Sequence, residues 1–87
     1  MVRIEGTREV SHNGVNGTVY MLRVLGISEG GVTTRAKGAL AGRFPTNIGK
    51  LETLNIEQVV SDFPGIDAYV VSVFMPHHNP SNMDRLY

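Results

Sequence analysis

The chain has 87 residues, no cysteine and no tryptophan, and its eight basic and eight acidic side chains cancel. A chain of this length fits one domain with a small core, and the missing thiols exclude disulfides, thiolate zinc sites and a cysteine nucleophile. Zero net charge gives no global signal for nucleic acid or an acidic membrane, and no apolar run approaches the ~20 residues that span a bilayer.

Residues 2 to 10 alternate, with Val2, Ile4 and Val10 on one face and Arg3, Glu5, Thr7 and Glu9 on the other, which predicts a strand. Residues 18 to 27, TVYMLRVLGI, predict a second strand, so the first third of the chain reads as a hairpin. Its turn is ambiguous, because SHNGVNG holds two Asn-Gly pairs. A two-residue turn on Asn13-Gly14 would set Ile4 opposite Arg23, a poor match of faces. A three-residue loop, Val15-Asn16-Gly17, sets Val10 opposite Leu22 and Glu9 opposite Arg23, and it wants a left-handed glycine at its third position. The loop closing at Gly17 is therefore expected, with Asn13-Gly14 bending the chain before it.

Ser28 to Gly31 reads as a turn, and Val32 to Lys37 as a third strand. A helix through Val32, Ala36, Ala39 and Leu40 is the competing reading, and Gly38 and Gly42 weaken both. Residues 38 to 50 look irregular. A helix is expected from Asn55, an N-cap with Gln58 three residues on. Ile56, Val59, Val60 and Phe63 would form its buried stripe, and Pro64-Gly65 would end it. IDAYVVSVFM, residues 66 to 75, is apolar on both faces, with Tyr69, Val71, Val73 and Met75 on one and Ile66, Ala68, Val70 and Phe74 on the other. That pattern predicts a central strand covered twice.

These elements predict an α+β domain over residues 1 to 76. Its antiparallel sheet has three or four strands, in the order hairpin, third strand, helix, central last strand, and the helix packs on one face. Residues 77 to 87 form a C-terminal tail. One helix covers one face of a sheet, so the second apolar face of the last strand calls for a loop, the tail or another copy of the chain, and a homo-oligomer is expected.

No segment carries a catalytic signature. Ser11 and His12 are neighbours in a turn, Ser72 lies within a strand, and no Gly-x-Ser-x-Gly elbow occurs. His77 and His78 point in opposite directions on an extended chain, and a metal would need His12 or Asp84 as well. No enzyme, metal or cofactor is expected. The charge is uneven, however. Arg35, Lys37, Arg43 and Lys50 occupy a stretch with no acid, and Glu52, Glu57, Asp62 and Asp67 follow in one with no base.

The expected function is a small binding protein that acts by protein–protein contact, as an inhibitor, adaptor or assembly subunit. Its contact elements would be the hairpin tip at Asn16, the 38 to 50 loop, and Met83, Leu86 and Tyr87 of the tail. The alternative is a binder of a phosphorylated small molecule or nucleotide. Arg35, Lys37, Arg43 and Lys50 would hold it, with Phe44 beside them, on a Gly-rich loop with free backbone N–H groups. Nucleic acid is disfavoured, because single-strand readers need several aromatic platforms. The alternating, charged start MVRIEGTREV is no signal peptide, so a reducing cytosol is expected, and the glycosylation sequon Asn16-Gly17-Thr18 is read as chance.

Overall fold

The computed structural model describes residues 2–44, 46 and 48–77. It is an α+β fold of two layers: a four-stranded antiparallel sheet in the order β1-β2-β4-β3, with one helix packed on it. Strands β1 (Val2–His12) and β2 (Val15–Gly26) form the hairpin. Helix α1 (Glu29–Arg43) follows, then a single 3₁₀ turn (Ile48–Lys50). Strand β3 (Glu52–Val59) leads to β4 (Asp67–Pro76).

The hairpin turn lies at Asn13-Gly14 and not at Gly17. Both central residues have positive φ, 53° at Asn13 and 78° at Gly14, and His12 pairs with Val15. This is the two-residue turn that Asn-Gly favours. The mismatch of faces it seemed to impose is removed by a β-bulge. The register slips between Ile4 and Gly6, so Ile4 faces Leu22 and Val2 faces Val24. An extra residue in one strand switches every later side chain to the other face. Gly17 is an ordinary strand residue paired with Val10 on one side and Pro76 on the other.

Two segments differ from the sequence expectation. Residues 32 to 37 are helical, within α1. Ser28 caps the helix, its Oγ accepting from the Gly31 N–H at 3.1 Å. Val32, Ala36 and Leu40 are fully buried and recur every fourth residue, which is the packing stripe of a short helix. Residues 55 to 59 are strand, within β3. A second bulge interrupts β3 between Thr53 and Asn55; beyond it Ile56 faces the helix side and Val59 the other, and Val60 and Phe63 lie past the strand, so the apparent helical stripe joins residues of different faces. Val60 and Phe63, expected in a buried helical stripe, lie in the β3–β4 connection and are exposed. Gly65 there takes φ 78°, a left-handed turn position.

Strand β4 is central, as its composition predicts, between β2 and β3. The core gathers on the helix side: Leu22 and Val24 of β2, Val32, Ala36 and Leu40 of α1, Leu51, and Tyr69, Val71 and Val73 of β4. Val2, Ile4, Tyr20, Phe44, Ile56 and Met75 pack around its margin. Each fully buried Val or Leu contributes about 1.5–3 kcal/mol by leaving water, so these few residues hold the two layers together.

The opposite face has no helix on it, yet Val19, Ala68 and Phe74 are buried there. The Phe74 ring lies across Gly17, where an added Cβ would stand 2.5 Å from it. His12 packs against the same ring, with centroids 5.2 Å apart. Large side chains thus shelter part of the face from within the sheet. Both edge strands carry a bulge, a feature that discourages further strand pairing.

Candidate functional site

The register brings several apolar side chains to one end of the sheet. Gly26 closes β2 opposite Asp67, the first residue of β4, and Val59 closes β3 opposite Ala68. Ile27, Val60 and Ile66 therefore leave the sheet side by side, and Phe63 sits on the connection between β3 and β4. All four are exposed, Ile27 and Val60 by 84% and 83%. Clusters of large apolar side chains kept in water mark contact surfaces more often than single ones do.

The β3–β4 connection is held in place rather than loose. Arg23 Nη2 donates to the Val60 carbonyl at 2.8 Å, while Arg23 Nη1 lies 3.9 Å from Glu5 Oε1. Glu5 also pairs with Arg3 at 2.7 Å. Ser61 Oγ accepts from the Phe63 N–H and donates to its carbonyl. Between this connection and the uncovered face lies an open cleft of about 200 Å³, lined by Arg3, Arg23, Leu25, Asp62 and Phe63. Its two guanidinium groups are engaged, and the Asp62 carboxylate has no ion-pair partner among the described residues.

Tyr69 stands at the same end, its ring in the core. Burial pushes its hydroxyl above its ordinary value, and the carboxylates of Asp67 and Glu29 push in the same direction. The carboxylates of Asp67 and Glu29 thus stand at the same end as the apolar surface.

The basic residues singled out from the sequence do not form a cradle around a loop. Arg35, Lys37 and Arg43 are on α1, and Lys50 closes the 3₁₀ turn. The stretch expected to offer free backbone N–H groups is helical as far as Arg43, so its N–H groups are spent inside the helix. At ~100° per residue, Arg35 and Lys37 leave the helix on nearly opposite sides. Arg35 Nη1 donates to the Leu25 carbonyl at 2.7 Å. Arg43 lies over the ring of Phe44 at 6.0 Å, and Phe44 packs on Tyr20. Asn16 is exposed near the hairpin tip, where its carbonyl accepts from the His77 N–H at 3.0 Å. Met83, Leu86 and Tyr87 lie outside the described residues, as do His78 and Asp84.

The far end of the sheet holds two histidine–carboxylate contacts. His12 Nε2 meets Glu52 Oε2 at 2.9 Å, and His77 Nε2 meets Glu9 Oε1 at 2.7 Å, with Thr18 Oγ1 donating to Glu9 Oε2. Among the described residues no group of three His, Asp or Glu side chains is placed to hold a metal ion, and no helix is long and apolar enough to cross a membrane.

The sequence reading passed over Ile27, Phe63 and Ile66 as surface residues because it assigned Ile27 and Ile66 to strands and Phe63 to a buried helix stripe. The available signal was local: two large apolar residues flank the Pro64-Gly65 turn, and a turn cannot bury them. Comparison with protein-family models, with curated proteins and with solved structures finds no match to this chain.

Proposed function

We propose that the protein is a small non-enzymatic binding protein that works by protein–protein contact, and that it binds through the end of the sheet bearing Ile27, Val60, Phe63 and Ile66. The supporting observation is the exposure of these four side chains on one anchored surface. Leaving them in water forfeits about 25 cal/mol for every Å² of apolar surface that a partner would cover. The connection that carries Val60, Phe63 and Ile66 is held by Arg23 and Ser61, so little ordering is needed on binding. An inhibitor, adaptor or assembly subunit acts in this way, by occupying a surface. The phosphorylated-ligand alternative has less support, because its stretch is helical as far as Arg43 and because Arg35 and Lys37 leave that helix on nearly opposite sides.

A photo-crosslinking amino acid placed at Phe63, in the cells that make the protein, tests the reading. The expected result is a discrete protein adduct, absent when the same group replaces exposed Thr34 on the helix. Equal labelling at the two positions, or no protein adduct at Phe63, contradicts it.

A further inference from the structure

The two ends of the molecule differ in charge as well as in position. The end with Ile27, Val60, Phe63 and Ile66 also carries Glu29, Asp62 and Asp67, all exposed. No ion pair engages these carboxylates among the described residues; the pairs formed there involve Arg3, Arg23, Glu5, Glu9, Glu52, His12 and His77. Arg3, Arg23 and Arg35 are the cations at that end, and each is already engaged: Arg3 and Arg23 with Glu5, Arg23 also with the Val60 carbonyl, and Arg35 with the Leu25 carbonyl.

The opposite end of the helix layer has the reverse charge. Arg43 ends α1 and Lys50 ends the 3₁₀ turn, both exposed and neither in an ion pair among the described residues. The apolar side chains Ile48 and Leu54 are exposed in the same region, and Phe44 is half-buried beside Arg43. Glu52, the acid nearest in sequence, is already held by His12 on the other face. The acidic run and the basic run of the sequence thus find no partners in each other within one chain, although they are consecutive in it.

From this complementarity we infer that the partner of the apolar end is a second copy of this chain. Its basic end, with Ile48, Leu54, Arg43 and Lys50, meets the acidic apolar end of the first. This inference rests on the contact reading above and specifies the partner. Each end offers exposed apolar surface rimmed by unpaired charge of the sign the other lacks. Apolar area supplies the affinity, and the charges set which ends meet and suppress contacts between like ends. Two copies lying antiparallel make the contact twice and close it, the commonest form of small assembly.

The test is sedimentation velocity on the full chain and two charge-reversed variants, Asp62→Lys with Asp67→Lys, and Arg43→Glu with Lys50→Glu. The wild type is expected to associate with rising concentration, and more weakly as salt screens the rim charges. Each variant alone should sediment as a monomer, and an equal mixture of the two should associate again. Restoration on mixing also shows that both are folded. If the wild type associates but neither reversal nor salt changes this, the charge-matched contact is wrong. If the wild type is monomeric at every concentration, the second-copy inference fails. In that case a crosslink from Phe63 to a different protein leaves the contact reading standing, and no crosslink at all removes both.

Discussion

His12 and Glu52 belong to the two outermost strands of the sheet, yet their side chains meet at 2.9 Å beside the ring of Phe74. β2 and β4 lie between their strands. The contact therefore spans the sheet and joins its edges on the face that α1 leaves uncovered. Gly17 makes room for it, since its lack of a side chain lets the Phe74 ring lie low across β2.

A double-mutant cycle on His12→Gln and Glu52→Gln measures what this contact contributes. Both side chains are partly solvated, and pairs of this kind are worth about 0.2–1 kcal/mol. The coupling energy from denaturant unfolding should fall in that range. A coupling well above it would show that the contact does more than tie two edges.

Glycine substitutions should have opposite signs at two places. A Cβ at Gly17 would stand 2.5 Å from Phe74 Cε1 and from the Met75 carbonyl oxygen, so Gly17→Ala must push the ring or the backbone aside. The expected cost is about 1–3 kcal/mol. At Gly38 and Gly42, inside α1, a Cβ meets nothing. Alanine there should stabilise the fold by about 0.5–1 kcal/mol each, through helix propensity. Denaturant midpoints of the three variants check both signs.

Tyr69 should ionise above the ordinary tyrosine range. Burial raises its hydroxyl, and Asp67 and Glu29 raise it further. The folded state thus favours the neutral phenol. Its contribution to stability is fully present below the ordinary tyrosine range near ~10 and is lost as pH rises through the raised value. Absorbance titration should show a phenol that ionises above that range, and stability should fall as it does. Asp67→Asn should bring that phenol down only in part, because burial is the larger cause.

The layout of the sheet was legible where composition and periodicity agree. The split of β4 into a Tyr69, Val71, Val73, Met75 face and a Val70, Phe74 face is visible in sequence because an uninterrupted strand keeps its period of two, and the first set is the one that meets the helix. The turn was not legible, because the bulge at Glu5 rewrites the pairing beyond it and no local rule marks a bulge at that residue. The helix was hidden by composition. Gly30, Gly31, Gly38 and Gly42 lower its propensity, and tertiary packing of Val32, Ala36 and Leu40 overrides them. The candidate site depends on the same errors. Once residues 55 to 59 are strand, Val60 and Phe63 fall outside any buried stripe and become surface. The unpaired charge runs were plain in the sequence, but their separation to opposite ends needed the fold.

The contact surface is most directly tested by native mass spectrometry of the protein, gently purified from the cells that make it, beside Ile27→Asp and Phe63→Asp variants. Both positions are solvent-exposed, so these changes should alter fold stability by no more than ~0.5 kcal/mol. The account predicts a wild-type protein complex, formed with itself or with another protein, that is lost in both variants. A wild type that appears only as a bare monomer, or as a monomer carrying a small molecule alone, would contradict it.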